Sequence, residues 1–507
     1  MRIQLIHPPI YMNPRAVQAT RPSLPIGLAY IAAVLRREGH EVSVLDAVME
    51  KPDQVTEDGR LCYFGLRPEE IVERIDPEAR VVGISVLFSF TWPLARRIIQ
   101  SIKERFPSKI IIGGGEHFTG LPEESLRQAP LDYLVLGEGE TTVCELIRAL
   151  ESGTFNPESI PGLAFLREGE YVQTTTRPRI MEVDSLPWPA WDLFDPPAYY
   201  QHGHIMGINA GPTMPILATR GCPYACTFCS NPMMWKRRWC ARTPQNVVDE
   251  IAHYQKQYGA TNFPFHDLTA VLRKDWIVSF CQELLRRNLH ITWQLPVGTR
   301  SEVIDREVTD LLHRTGCGSI ALAPESGSMR TRKLIGKRMM NATLMRAVRA
   351  AVRSGLSVTN FFVVGFPHDT ASDLWKSVVL AIRLGIAGAH DIALSIYFPI
   401  PGSELYKKLA AEGRISPTDD VLLAPIFSMD ATLHEENNFC EHLSARTITR
   451  MKYLILLMFY LSQFLVRPWR MVQILRRTWR GAEFTRLDIF LIARKKRMLE
   501  TRKGTSK

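Results

Sequence analysis

The stretch Arg220–Pro232 reads RGCPYACTFCSNP and holds Cys222, Cys226 and Cys229 in a CxxxCxxC spacing. Thiolates are the usual ligands of iron–sulfur clusters, whose potential is set by charge, hydrogen bonding and burial. Three thiolates within eight residues can ligate three irons of a four-iron, four-sulfur cluster. The fourth iron then stays open to a substrate or cofactor. Zinc is the competing reading of the same thiols. It favours CxxC pairs and a fourth Cys or His, and Cys240 could be that fourth ligand. The other six of the nine cysteines are scattered, which argues against chance clustering.

Around this stretch lie 507 residues, enough for two to four domains at about 150 residues each. A hydrophobic content of 46% is globular. Met1–Ile10 is a short strand-like run, not a secretory leader. An odd, low cysteine count implies no disulfide framework and fits a reducing cytoplasm. The net charge of +10 is uneven: residues 442–507 hold 16 Lys and Arg against 3 Asp and Glu. The basic balance therefore belongs to the tail.

Residues 1–150 alternate strand-like and helical segments, which predicts an open parallel α/β sheet of Rossmann type. Such sheets bind ligands at the carboxyl ends of their strands, where this sequence places glycine turns. Residues 151–212 read as a connector rich in Pro and aromatics. Trp188, Trp191, Phe194 and Tyr199 are spaced to pack against both neighbours. Residues 213–415 contain six βα-like units, with polar residues at the strand ends where barrel enzymes place their chemistry. Residues 416–507 predict a basic, apolar helical segment. In it Tyr453–Val466 is 14 residues long, short of the roughly 20 needed to cross a bilayer. Arg467–Arg480 interleaves Trp and Leu with Arg, as membrane-surface helices do. No separate nucleic-acid motif is present.

The cysteine stretch resembles the cluster motif of the radical S-adenosylmethionine (SAM) enzymes, including the aromatic Phe228 before the last cysteine. The order of parts upstream resembles the cobalamin-binding domain of the B12-dependent members. The matching pieces are Leu5–Pro9 (LIHPP), Leu24–Asp46, Gly83–Ser85, Gly113–His117 (GGGEH) and Leu136–Glu140 (LGEGE). The resemblance implies a (β/α)6 partial TIM-type barrel and three cofactors: a four-iron, four-sulfur cluster on Cys222, Cys226 and Cys229, SAM, and cobalamin. It implies SAM contacts from Phe228, Asp267 and Glu325, the last in an ESGS element, and Arg300 could pair the SAM carboxylate through its fork geometry. It implies cobalamin contacts from Ser85, Gly113, Gly114, Gly115, Glu116, His117, Gly137, Glu138 and Gly139. The DxHxxG motif that supplies a lower axial histidine elsewhere is missing, so cobalamin is expected base-off, without His117 as cobalt ligand. Residues Phe361–Thr370 and Tyr397–Tyr406 resemble the segments near adenine and at barrel closure.

The implied reaction is methylation of an unactivated carbon, through a 5′-deoxyadenosyl radical and methylcobalamin. The basic, apolar tail points to a hydrophobic substrate and leaves two readings open, a lipid or membrane surface and a solvated basic face beside a buried helix. An electron donor such as flavodoxin or ferredoxin is implied, and nucleic acid is not expected. Three alternatives stay open: a cyclase or rearrangement enzyme with the same cofactors, a tRNA methylthiotransferase, and a non-enzymatic cofactor-binding protein. The methylthiotransferase needs three amino-terminal cysteines, and only Cys62 and Cys144 are available.

Overall fold

The runs Arg2–His7, Glu41–Asp46, Val81–Ser85, Ile110–Gly114 and Tyr133–Val135 form five parallel strands in the computed structural model. The structure describes residues 1–13, 22–153, 156–428 and 432–504, with side chains described through residue 495. Across the sheet the order is Glu41–Asp46, Arg2–His7, Val81–Ser85, Ile110–Gly114, Tyr133–Val135. The order therefore reverses between Arg2–His7 and Val81–Ser85, and ligands bind at the carboxyl ends beside such a reversal. Near-continuous apolar runs such as Val-Val-Gly-Ile suit strands covered on both faces. Leu28, Leu35, Leu146 and Ile147 of helices Ile26–Arg37 and Gly139–Ser152 share one core cluster. Ile71, Leu94 and Ile98 of helices Pro68–Glu73 and Trp92–Arg105 share another. The first helix runs into Gly39 at φ +88°, the left-handed stop that its sequence predicts.

Two features of this half go beyond the sequence reading. Ile10–Met12, Leu61–Phe64 and Val55–Asp58 form a small antiparallel sheet. Strands of three or four residues are too short to show a period. The antiparallel strands Leu163–Arg167 and Glu170–Gln173 extend the large sheet beyond Tyr133–Val135. They fall in the stretch read as connector, so its first part belongs to the sheet. The aromatic part does bridge the two halves. Tyr199 donates to Asp46 Oδ2 at 2.8 Å, and Trp188 Nε1 lies 3.5 Å from Asn246 Oδ1.

The second half is a parallel sheet in the order Asn262–Pro264, Thr292–Thr299, Cys317–Glu325, Ser357–Val364, Asp391–Ile396. A sixth segment joins it through the parallel bridges Thr213–Asn262 and Ile216–Phe265. This is the open, six-unit barrel. Alternation sorts its side chains: Phe263, Phe265, Trp293 and Leu322 pack outward under the helices. Pro264, Gln294, Gly298, Ala323 and Phe361 occupy the inward positions. The helices carry ordinary start signals, with Thr243 capping Pro244–Tyr258 and Asp305 capping Arg306–Arg314.

The floor of the barrel is closed by chain from both ends of the domain. Gln294 Nε2 donates to the Ile208 carbonyl at 2.7 Å, and Ile208 N–H returns a bond to Gln294 Oε1 at 2.8 Å. From the tail, Arg486 N–H donates to Asp391 Oδ2 at 2.5 Å, and Ser357 Oγ to the Phe484 carbonyl at 3.2 Å. Asn209 N–H donates to Glu483 Oε2 at 3.0 Å, so the tail also reaches the approach to the first barrel strand.

The tail helices are Ala445–Val466, Trp469–Arg480 and Arg486–Gly504. The first lies along helix Ala371–Ala387. Arg467 and Arg470 donate to the Ile386, Gly388 and Ala389 carbonyls at 2.8–2.9 Å. Part of the basic tail thus satisfies the carbonyl end of a helix, where cations are favoured. No helix among the described residues is long and apolar enough to cross a membrane. The close approach depends on Gly385: a Cβ there would lie against Ser462 Oγ and 2.7 Å from the Phe459 carbonyl oxygen. Gly385→Ala is expected to destabilise the fold by about 1–3 kcal/mol, as overpacking does, read as a lower midpoint in denaturant unfolding.

Candidate active site

Thr219–Arg220 pairs with Cys240–Ala241, and the cysteine loop hangs between these strands. Gly221 sits at φ +82° with a would-be Cβ on the Arg238 carbonyl, so the turn into the loop needs glycine. The loop is held at its middle, where Thr227 N–H donates to the Ile335 carbonyl at 3.0 Å and Leu405 N–H to the Thr227 carbonyl at 2.9 Å. Cys222, Cys226 and Cys229 are free and half-buried. Burial pushes all three thiols up, Cys229 to about 12, while Lys337 and Arg300 pull Cys222 and Cys226 back. Burial by itself therefore favours thiols, and bound iron would favour thiolates. Cys240 is buried elsewhere, its thiol within reach of the Ile180 and Arg220 carbonyls and of Arg179. The three-sulfur donor set fits a cluster with one open iron.

Around this loop stand the side chains expected to meet SAM. Arg300 is buried with its guanidinium 3.8 Å over the Tyr224 ring. Its Nη2 donates to Glu302 at 2.5 Å and to the Arg338 carbonyl at 2.8 Å, while Nη1 is buried without a partner. A buried, unused guanidinium donor beside the cluster loop suits a carboxylate ligand. Glu325 accepts from Lys337 Nζ at 2.6 Å and sits at φ +61°, a strained conformation for a residue with a side chain. Phe228 packs edge-on against Phe366 at 5.5 Å, joining the loop to Phe361–Thr370. There Asp369 accepts from Gly365 N–H and Phe366 N–H, each at 3.0 Å, which fixes that turn.

Asp267 differs from expectation. Its carboxylate accepts from Ala218 N–H at 3.2 Å and Thr219 N–H at 2.5 Å. It pins the strand that leads into the loop, and burial raises its pKa to about 7. The side chain is spent on the protein's own backbone. Tyr397 is also core, against Phe366 at 5.2 Å.

At the carboxyl ends of the first sheet the expected cobalamin residues divide into two groups. A Cβ at Gly114 or Gly137 would find nothing within 4 Å, so open space adjoins both turns. Ser85 is half-buried at the end of its strand. Leu87 and Phe88 follow it, and are 56% and 50% exposed. These two apolar side chains beside an open turn suit a large flat cofactor. Sequence reasoning passed over them because it sought polar groups and glycines there.

The second group packs against protein. Gly113 and Gly139 would press a Cβ into Leu134 and Ile31 respectively, and Gly115 into the Val86 carbonyl. His117, expected in a ligand-facing loop, is buried and stacks on Trp92 at 4.9 Å. Its ring nitrogens meet Ser89 Oγ at 3.1 Å and Ser125 Oγ at 3.3 Å, and burial lowers its pKa to about 3. It has no nitrogen to spare for cobalt, consistent with the missing axial motif. Glu116 hydrogen-bonds Ser230, next to Cys229, and so ties the first sheet to the cluster loop. A Cβ at Gly120 would lie 3.2 Å from the Pro401 carbonyl, a second close approach between the halves.

Glu138 also turns away from the cofactor face. It accepts from Arg179 Nε at 2.5 Å, Ile180 N–H at 3.0 Å and Arg220 Nη1 at 3.2 Å. Arg220 Nη2 pairs with Glu140 at 2.7 Å, and its guanidinium lies 4.8 Å over the Tyr30 ring. Burial works against the Arg220 charge, but Glu140 and Glu138 more than offset it and hold its pKa above the usual value.

Comparison with known proteins agrees with this architecture. A B12 binding domain family model matches residues 15–147, and a radical SAM superfamily model matches residues 216–381. The anaerobic magnesium-protoporphyrin IX monomethyl ester cyclase of Synechocystis is 30% identical, over 83% of this chain and 79% of its own. An uncharacterized methyltransferase of Pyrococcus horikoshii is 29% identical, over 80% of this chain and 83% of its own. The cytidylyl-2-hydroxyethylphosphonate methyltransferase of Streptomyces wedmorensis is 28% identical, over 81% and 83%. Among solved structures, the radical SAM methyltransferase TsrM of Kitasatospora setae, with cobalamin and a [4Fe-4S] cluster bound, superposes with a TM-score of 0.64. That match is 20% identical and covers 81% of this chain and 78% of TsrM. The chain belongs to the cobalamin-binding radical SAM family. It is a radical SAM enzyme whose cofactors are a four-iron, four-sulfur cluster, SAM and cobalamin, and such enzymes draw on a reductant such as flavodoxin or ferredoxin.

Two outcomes test the geometry. Arg220→Met leaves Glu140 buried without its cation, and is expected to cost about 3–5 kcal/mol in denaturant unfolding. His117 binds its proton only near pH 3 when folded, against 6.5 when unfolded. Acid therefore removes stability progressively as pH falls from 6.5 toward 3. In His117→Phe, which keeps a ring against Trp92, the melting temperature is expected to fall less steeply across that window.

Proposed function

We propose that this enzyme methylates an unactivated carbon of a hydrophobic substrate. The contact between the two cofactor-binding halves carries the reading. The Glu116–Ser230 bond and the Gly120–Pro401 approach set the open turns of the first sheet beside the cysteine loop. A substrate atom held between them would be reached from both sides, which is a proximity device. Similarity to methyltransferases along four-fifths of the chain supports methyl transfer.

When bound, the cluster would supply the electron that cleaves SAM, SAM the group that then abstracts a hydrogen atom, and cobalamin the methyl group. The chain's residues position. Cys222, Cys226 and Cys229 would hold iron. Arg300 Nη1 and Glu325 would orient the carboxylate and ammonium of SAM, with Phe228 and the Gly365 turn beside adenine. Asp267 would act through the backbone it pins. Ser85, Leu87, Phe88, Gly114 and Gly137 would border cobalamin. The identity to the Synechocystis cyclase favours a second reading, ring closure with the same cofactors and no methyl transfer. Cys62 and Cys144, the two amino-terminal cysteines available where a methylthiotransferase needs three, are buried on separate elements. We place the enzyme in the reducing cytoplasm, at the periphery of a membrane through its carboxy-terminal segment, with no nucleic-acid partner.

Anaerobic turnover of reconstituted enzyme, with SAM products separated by chromatography, decides between the readings. A methylase forms both 5′-deoxyadenosine and S-adenosylhomocysteine, and deuterium from the substrate carbon enters the first. A cyclase forms 5′-deoxyadenosine without S-adenosylhomocysteine. Reconstitution without a cluster, or a cluster with no SAM cleavage, would favour a cofactor-binding protein. Arg300→Gln is expected to raise the KM for SAM by about 10- to 100-fold, the loss of a charged hydrogen bond, with iron content unchanged.

A further inference from the structure

Of the twenty-one large apolar side chains exposed among the described residues, thirteen lie on three neighbouring helices, Ala371–Ala387, Ala445–Val466 and Trp469–Arg480. They are ordered, not scattered. On Ala445–Val466, Leu457, Leu461 and Leu465 repeat every fourth residue and are 61%, 45% and 74% exposed. That spacing sets one row along one face, while Ile448, Ile455 and Phe459 bury the opposite face in the protein core. Trp375 and Val379 lie on the adjoining helix, four residues apart and exposed. On Trp469–Arg480, Trp469, Leu475 and Trp479 are 56%, 65% and 78% exposed, and only Ile474 is buried. No charge interrupts residues 453–466, about 20 Å of helix at 1.5 Å per residue. Single exposed apolar residues are ordinary, but thirteen of them on three helices packed in series mark an interaction surface.

The charges beside the patch select its occupant. Arg467, Arg470 and Arg477 are engaged by carbonyls or by Asp488. Among the described residues, Arg450, Arg476 and Arg480 are exposed and free of ion-pair partners. Pairing this surface with a second copy would bring like charges together, which costs association energy. An anionic bilayer offers the complement: negative headgroups for the arginines, an acyl boundary for the leucines, and the interface that Trp prefers.

We propose that the outer face of helices Ala371–Ala387, Ala445–Val466 and Trp469–Arg480 docks in the plane of an anionic lipid bilayer. The helices lie on the membrane rather than crossing it. This specifies the surface and the lipid charge behind the peripheral placement given above, and it stands on geometry independent of the reaction.

Flotation of the full-length, cofactor-loaded protein with vesicles tests it. Vesicles of phosphatidylcholine plus phosphatidylglycerol are expected to carry the protein, with a blue shift of Trp emission and weakening in high salt. Vesicles of phosphatidylcholine alone are expected to carry much less. The exposed double substitution Leu457→Glu with Leu461→Glu is expected to lower the bound fraction about tenfold or more. Its circular dichroism and cobalamin absorbance should match wild type. Trp479→Ala, at the end of the patch, is expected to weaken binding less. Failure of the wild type to float, or undiminished binding by the double variant, overturns the proposal. So does a wild-type dimer, seen by light scattering, that the double variant splits in the absence of vesicle binding. Vesicle binding is measured without substrate, so its failure leaves the methyl-transfer reading intact, and failure of turnover leaves the docking surface intact.

Discussion

Arg220 is the joint on which both halves of the molecule depend. Its guanidinium is buried between Glu138 and Glu140 of the first sheet, under the Tyr30 ring, and the cluster turn begins at the next residue. A buried charge survives only with close partners, so its neighbours have little freedom to shift. Arg179 reinforces the joint by gripping Glu138 on one side and the Trp235 and Arg238 carbonyls on the other. Glu138 lies in the turn that borders the open end of the sheet, and Glu140 in the first turn of the helix that follows. One ionic knot therefore sets the spacing between the two cofactor regions, and the acids that seemed suited to a cofactor hold the enzyme together.

The general architecture was legible because its signals are local. Alternating strand and helix periods gave the doubly wound sheet and the six-unit barrel, and Gly39 and Gly259 mark helix ends where their left-handed backbone appears. The three cysteines needed only their spacing. What sequence could not reveal was the direction in which a side chain points once the chain has turned. Glu138 and Asp267 lie in turns at the ligand ends of strands, and Glu116 and His117 in the short helix Glu116–Gly120 that follows one. Each is turned onto protein: Ser230, Trp92, Arg220 and the backbone at residues 218–219. Leu87 and Phe88 show the opposite case, apolar residues without a sequence signal for a site that stand exposed at the cofactor end. Partners such as Lys337 for Glu325 and Tyr224 for Arg300 are distant in sequence and meet only through the barrel.

The tail combines two duties that its composition alone cannot separate. Its inner faces complete the barrel: Gln463 donates to the Ala389 carbonyl at 2.6 Å, and the Glu483–Arg486 segment ties the approach to the first strand to the last strand at the floor. An open six-strand barrel leaves a seam, and this strap crosses the lower end of it. The guanidinium of Arg486 lies 4.9 Å over Phe361, an inward-facing ring, so the strap also contributes to the barrel wall. The outer faces carry the apolar rows and the unpaired arginines. The same helices thus read as basic and apolar in sequence for two reasons that occupy opposite sides.

The strained backbone at Glu325 has a consequence for how this protein can change. Left-handed geometry at a residue with a side chain typically costs about 1–3 kcal/mol, and glycine would relieve it. Losing the acid would also leave Lys337, itself buried, without its anion, which typically costs about 3–5 kcal/mol. The ion pair therefore outweighs the strain and holds the acid in its left-handed conformation in the unloaded protein as well. The position is a strained one that its own partner keeps from drifting to glycine.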